Sequence, residues 1–201
     1  MDELLAQTVY FARSGKENTA RTLNLAYVRS RELGIETVLV ASTSGETGLL
    51  AAQRMPDREV IVVTHSTGFR GPDLQELTPE NRVAIEAAGA RLLTCQHALG
   101  GVNRAVRKKL DTYQLDEIVA FTLRLFGQGI KVVVEIALMA ADAGLVRTDT
   151  PVMAVAGTGR GADTAAVLRP TNAQTFFDLG ILELVCLPSP AHPAWVEKTN
   201  R

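Results

Sequence analysis

Short apolar runs alternate with helix-length amphipathic segments along most of the chain. Thr8–Phe11 is a brief β-prone run. The polar–apolar spacing that follows predicts a helix capped by Asn18 and running through Arg31–Leu33, with Gly34 where a left-handed stop belongs. Thr37–Ala41 is continuously apolar enough for a buried strand, and the polar turn Ser42-Thr43-Ser44-Gly45-Glu46-Thr47 leads into a helix to about Arg54. Met55-Pro56-Asp57 breaks that helix. Val60–Thr64 predicts a second buried strand, His65–Thr78 a loop containing Gly68, Gly71 and Pro72, and Pro79–Ala88 a helix. After Gly89, Arg91–Thr94 predicts a third strand.

Strands and helices in strict alternation indicate βαβ units on a parallel sheet covered on both faces. The expected fold is therefore a three-layer α/β/α domain with a mostly parallel sheet, occupying residues 1–201 as one unit. The middle of the chain is more helical: Leu99–Leu110, Asp116–Phe126 and Ile130–Ala143 have helical spacing, with Gly127-Gln128-Gly129 between the last two. Strand character returns at Val152–Ala156. A glycine-rich loop at 157–164 and a short run Ala165–Leu168 follow, ending at Arg169-Pro170. Leu182–Leu187 is expected as an edge strand, and 188–201 as an irregular tail.

Charge narrows the partners. With 21 basic against 22 acidic residues the formal net charge is −1, so no global field recruits nucleic acid or an anionic membrane. The longest apolar run, Ile130–Leu145, carries Lys131, Glu135 and Asp142, too many charges to cross a bilayer. The first residues, MDELLAQ, are acidic rather than the basic start of a secretory leader. Cys95 and Cys186 lie far apart after apolar runs and form no C-x-x-C pair, which reads as two buried thiols in a reducing compartment. A cytoplasmic location is expected, without nucleic-acid or membrane partners; a homo-oligomer stays open.

The turn at 42–47 is the most informative chemistry. The first backbone N–H groups of a helix lack internal acceptors, and the helix dipole places partial positive charge there. Ser42, Thr43, Ser44 and Thr47 add hydroxyl donors, and Gly45 permits close approach of a ligand to the backbone. Such a turn is either a phosphate cradle or an ordinary Ser/Thr-capped helix start. It is not a Walker A loop, because Gly-x-x-x-x-Gly-Lys is absent.

Other residues extend the candidate site. Gly157-Thr158-Gly159-Arg160-Gly161-Ala162 fits G-x-G-x-x-A, but the short β-leaning run after it is no crossover helix, which argues against a dinucleotide fingerprint. Its N–H groups and Arg160 are expected to face a ligand, with Asp163 accepting from a sugar hydroxyl or ring nitrogen; the alternative is a tight surface turn. Thr64 and His65 end a strand, where open α/β sheets bind ligands, and Gly68 and Phe69 follow in the same loop. His65 is a candidate acid, base or ligand contact. His97 also sits in a loop after a strand. Lys131, Glu135 and Asp142 fall at i, i+4 and i+11, either as an ion-paired solvated stripe or as the rim of the site beside Gly127 and Gln128. The candidate catalytic groups are His65, Lys131 and Glu135. Lys16, Asn18 and Thr19 form a second strand-to-helix turn at the same edge. No histidine has a partner at metal-ligand spacing, so no metal is assigned.

The stretch TVLVASTSGETGLLAAQRMPDREVIVVT (37–64) resembles the effector-binding segment of the pyruvate kinase C-terminal domain, in which a Ser/Thr-rich loop between strand and helix holds a sugar phosphate. The wider chain is similar to a small stand-alone family with that fold. The shared blocks are Gly15–Thr19, Ser42–Thr47, Thr64-His65 with Gly68-Phe69-Arg70, Phe126–Gly129 and Gly157–Thr164. The resemblance implies a pyruvate kinase C-terminal-like fold and a phosphorylated small-molecule ligand, with flavin mononucleotide (FMN) the leading cofactor. Glu46 stands where pyruvate kinases commonly carry a basic residue, which disfavours a bisphosphate. Pyruvate kinase catalysis itself needs a (β/α)₈ barrel of about 250 residues, for which this sequence has no room. The alternatives are a flavin-dependent oxidoreductase, another enzyme acting on a phosphorylated metabolite, or a regulatory effector-binding domain.

Overall fold

The computed structural model describes residues 3–194. Seven strands form one sheet in the order β1-β7-β6-β5-β2-β3-β4. They span Val9–Phe11 (β1), Thr37–Ala41 (β2), Glu59–Val63 (β3), Arg91–Leu93 (β4), Val152–Ala156 (β5), Thr164–Arg169 (β6) and Gly180–Pro188 (β7). Only β6 runs against its neighbours; the ladders β1–β7, β2–β3, β2–β5 and β3–β4 are parallel. The reason is connection length. The turn from Ala156 to Thr164 is too short for a crossover helix, so the chain can only double back as a hairpin.

Helices cover both faces: Thr19–Glu32 (α1), Glu46–Arg54 (α2), Pro79–Ala87 (α3), Gly101–Leu110 (α4), Leu115–Leu123 (α5) and Gln128–Asp142 (α6). The strands sort their side chains with a period of two. Val38, Val40, Val60, Val62, Met153 and Val155 pack with Leu23, Ala26, Ala51 and Ile85 from α1, α2 and α3. Leu39, Ile61, Val63, Ala154 and Ala156 pack with Ile130, Val133 and Ala137 of α6. Both faces are covered, hence strands that read as continuous apolar runs rather than alternating ones. No helix among the described residues is long and apolar enough to cross a membrane.

Four expectations need correction. Leu182–Leu187 is not an edge strand: β7 lies between β6 and β1, because β1 is free to pair in parallel along its outer side. The expected tail begins inside that strand, and residues 195–201 of it lie outside the described residues. Asn18 does not cap α1 through its side chain, whose Nδ2 donates instead to the Arg13 carbonyl at 2.8 Å. Cys186 is fully buried, and burial pushes its thiol up to about 12, but Cys95 is only partly buried.

All strands except β6 end on the same side, so the loops after β2, β3, β4 and β5 converge there. Gly129, in the first turn of α6, lets this helix lie directly on β6, since a Cβ there would stand 2.0 Å from Thr164 Oγ1. The close approach brings the amino end of α6 to the same side of the sheet.

Candidate functional site

The converging loops enclose a cavity of about 820 Å³. Ser42, Thr43, Ser44, Glu46 and Thr47 line it after β2, Thr64, His65 and Phe69 after β3, and His97 after β4. Gly157, Gly159, Arg160 and Gly161 line it after β5, and Lys16, Arg104, Arg124, Gln128, Lys131 and Glu135 complete the wall.

The turn after β2 is rich in unused donors. Ser42 Oγ accepts from Gly48 N–H at 3.1 Å, supplying the side-chain cap of α2. The five preceding N–H groups, Thr43 to Thr47, donate to no acceptor among the described residues. Nor do the hydroxyls of Ser44 and Thr47 make any hydrogen bond there. Thr47 is 8 % exposed, so these donors sit in restricted solvent at the positive end of a nine-residue helix. Gly45 serves the turn differently from the expectation. It adopts φ 98°, and a Cβ would lie 2.6 Å from Asn81 Cβ and 2.7 Å from Leu77. It faces α3 rather than the cavity, and the Ser44 carbonyl is pinned from that side by Asn81 Nδ2 at 2.8 Å.

Positive charge surrounds this donor row. Six lysines and arginines line the cavity (Lys16, Arg70, Arg104, Arg124, Lys131, Arg160) against three carboxylates, Glu46, Glu76 and Glu135. Lys16 holds Glu46 at 2.8 Å and keeps its carboxyl below the usual range, so the acid beside the turn is matched by a cation. Arg104, Arg124 and Arg160 have no carboxylate within ion-pair distance among the described residues. Arg124 is aimed by Gln128 Oε1, which accepts from its Nε at 2.7 Å.

The loop after β5 is braced, not open. Asp163 is fully buried; its Oδ2 accepts from Gly15 N–H at 2.9 Å and Thr158 N–H at 3.1 Å, and Oδ1 from Thr164 Oγ1 at 2.9 Å. It binds this loop to the one before α1 and does not reach the cavity, contrary to the expected sugar contact. Gly45, Gly68, Gly127 and Thr158 likewise stand outside the cavity wall.

Lys131 and Glu135 do not form a solvated stripe. They are 4 % and 3 % exposed, because the sheet lies under α6 and α5 over it. Lys131 Nζ donates to Glu135 Oε2, and Leu99 N–H donates to Oε1 at 3.1 Å. Burial alone would raise the Glu135 carboxyl, but His97 and the Lys131 ammonium outweigh it and hold the group at about 2. Burial lowers the Lys131 ammonium, against the attraction of Glu135. The Glu135 contribution to stability is complete above its ordinary 4.5 and is lost as pH falls towards about 2. Asp142, the third member of the expected stripe, lies at the far end of α6 and accepts from Asn172 Nδ2 at 3.0 Å.

The histidines stand together. His65 and His97 ring centroids are 5.3 Å apart, and Phe69 packs on both, at 4.1 and 4.8 Å. Arg104 lies over the other part of the Phe69 environment, 4.7 Å from its ring centroid. His65 Nδ1 is 2.7 Å from Glu76 Oε2, and its Nε2 is 3.4 Å from Thr43 Oγ1. Glu76, Arg104 and Arg124 were not legible as site residues, and Arg70, though part of a shared block, carried no site assignment. They come from a loop and from helix ends with no motif of their own, and only the fold brings them here.

Two solved pyruvate kinase structures from Cryptosporidium parvum match at 12 % identity each, with TM-scores of 0.39 and 0.37. Each match covers 75 % of this chain, but only 23 % and 22 % of those chains, so the present sequence spans under a quarter of their length. The family described as pyruvate kinase, alpha/beta domain, matches residues 13–168, and the chain belongs to that family.

Proposed function

We propose that the cavity binds a phosphorylated small molecule, with its phosphate on the Thr43–Thr47 turn and FMN as the leading candidate. One observation carries this reading: the Thr43–Thr47 N–H groups and the Ser44 and Thr47 hydroxyls, at a helix amino end, have no hydrogen-bond partner among the described residues, and all of these residues but Gly45 line the cavity. Hydrogen bonds to an ionised acceptor contribute about 1.5–3 kcal/mol each. Four or five therefore hold a phosphate without a Walker lysine. Three arginines without carboxylate partners among the described residues add long-range attraction, and the volume suits a mononucleotide-sized ligand. The Phe69–His97 stack offers an aromatic surface for a ring system such as flavin.

Titration of FMN with the purified protein tests the reading through flavin fluorescence. The expected result is saturable quenching that inorganic phosphate reverses and that Thr47→Ala weakens. Quenching insensitive to both would place the phosphate elsewhere; no quenching, with phosphate binding retained, would discard flavin and keep the anion site.

A further inference from the structure

The phosphate turn carries a hydroxyl that is wired to a base. Thr43 is the first residue of the donor row. His65 Nε2 stands 3.4 Å from its Oγ1, and His65 Nδ1 stands 2.7 Å from Glu76 Oε2. With Nδ1 against the Glu76 carboxylate, the tautomer that donates from Nδ1 leaves the Nε2 lone pair for the Thr43 hydroxyl. Arg70 Nε, 3.5 Å from Glu76 Oε1, holds the second carboxylate oxygen. A hydroxyl, an imidazole and a carboxylate in this order are the arrangement that activates an oxygen nucleophile. The 3.4 Å contact is loose, as such contacts are before substrate tightens them.

The second imidazole does not compete for this role. His97 Nε2 accepts from Ser66 N–H at 3.4 Å, and its Nδ1 faces Glu135 at 3.6 Å, so neither nitrogen is free. Glu135 in turn is occupied by Lys131 and by the Leu99 N–H. His65 is therefore the ring with an accepting nitrogen beside a hydroxyl.

We infer that Thr43, His65 and Glu76 form a relay that hydrolyses phosphate monoesters held on the Thr43–Thr47 turn, with Thr43 as nucleophile, His65 as general base and then acid, and Glu76 as a positioning residue. The inference rests on the reading of the turn as a phosphate site. In the first step His65 Nε2 takes the Thr43 proton while Oγ1 bonds to phosphorus and the P–O bond to the alcohol breaks. The alcohol leaves with the proton from His65. In the second step His65 takes a proton from water, the water oxygen bonds to phosphorus, and the P–Oγ1 bond breaks. The proton returns to Thr43, so the products are one alcohol and one inorganic phosphate. The N–H groups of Ser44 to Thr47, without acceptors among the described residues, and the Arg104 and Arg124 guanidinium groups, without a carboxylate partner there, are suited to the charge on the equatorial oxygens. An acyl ester, being uncharged, would leave these cations unused, which favours the phosphomonoester.

The experiment uses p-nitrophenyl phosphate with the whole chain, alongside calorimetric binding of inorganic phosphate. The wild-type protein is expected to release p-nitrophenolate and, on acid quench, to show phosphothreonine at position 43. Thr43→Val and His65→Ala should each lower the rate by roughly 10²–10⁴-fold, while Thr43→Ser restores a substantial part of it. Glu76→Gln should lower kcat while leaving KM near the wild-type value, a split that a merely structural role would not produce. Adding ethylene glycol should divert part of the phosphoryl group to the alcohol. Phosphate binding without p-nitrophenolate release, or release unaffected by Thr43→Val, would overturn the relay and leave the phosphate site standing. Absence of phosphate binding would overturn both.

Discussion

Two loops leave neighbouring parallel strands at the same end of the sheet, and their compositions look alike. Ser42–Thr47 follows β2 and Gly157–Asp163 follows β5; each mixes glycine, hydroxyl and charged residues. Their hydrogen bonding differs in degree: the second loop is tied at its ends, and only its tip, the N–H groups of Gly159, Arg160 and Gly161, lacks acceptors among the described residues. In the first, five N–H groups in a row are unclaimed. In the second, Thr158 N–H goes to Asp163, Ala162 N–H to Thr19 Oγ1 and Asp163 N–H to the Ala156 carbonyl. What differs is the element that follows. A helix leaves its first donors exposed by construction, whereas a hairpin returning into an antiparallel strand pairs the donors at its buried ends and leaves those of its exposed tip to solvent. Glycine and hydroxyl content signals a turn, and the next element decides whether the turn can bind.

The largest expected effect is on the braced loop. Asp163→Ala would strip the acceptor from two part-buried N–H groups and from the buried Thr164 Oγ1, at about 1–3 kcal/mol for each group left unpaired. With partial relaxation the loss should be about 3 kcal/mol, a fall in Tm of roughly 6–12 °C for a domain of this size. Phosphate affinity of the folded protein should change less than about threefold, because Asp163 makes no direct hydrogen bond to the Ser42–Thr47 turn. Thermal melts and calorimetry on the same sample separate the two outcomes; a large affinity loss in fully folded protein would erase the contrast between the loops.

Gly45→Ala should come next, and strike both properties. The φ of 98° strains any side chain, and the new Cβ would collide with Asn81 and Leu77, for about 1–3 kcal/mol. Relief requires the turn to move away from α3, which would scatter the five donors. An affinity loss above about tenfold, or 1.4 kcal/mol, is expected with that destabilisation. Unchanged affinity would show that the donors do not act as a preformed set.

Much of this architecture is written in the chain, and the exceptions have identifiable causes. The runs at 37–41 and 152–156 match the observed strands, because a sheet covered on both faces demands unbroken apolar sequence. β7 was placed at the edge because strand order is not encoded in any one segment; it depends on β1, more than 160 residues away, finding a partner. Spacing leaves Lys131 and Glu135 either on a wet stripe or at the rim of the site, since it reveals a helix face but not what later covers it; they lie buried on the cavity wall. Asp163 was assigned to a ligand because a carboxylate in a glycine loop looks available, and its claim on Gly15 N–H emerges only when the chain's two halves meet. The donor row at 43–47 was legible because it depends on local sequence alone.

A finer contrast compares two threonines. Thr47, buried in the first turn of α2 with its side chain on the cavity wall, and Thr158, the second residue after β5 and outside that wall, are hydroxyl residues of the two connections. Thr47→Ala should weaken phosphate binding about tenfold, near the low end for a hydrogen bond to an anion. Thr158→Ala should weaken it less than about twofold, or about 0.4 kcal/mol. Equal losses would mean that both loops bind the phosphate.

Arg160 should give the smallest effect and the most specific test of what remains for the second loop. It stands exposed between two glycines, with no carboxylate in ion-pair distance among the described residues, yet its field reaches Glu46 across the cavity mouth and lowers that carboxyl behind the stronger effect of Lys16. A charge placed this way attracts an anion without ordering it. Arg160→Ala should therefore weaken phosphate binding by about threefold at low salt, chiefly through the association rate. The difference should vanish as salt rises past about 0.1 M, where the screening length falls to about 10 Å. Thr47→Ala, acting through a direct contact in restricted solvent, should keep its penalty under the same salt. A salt-resistant loss at Arg160 would instead mean that the second loop closes onto the phosphate once it is bound.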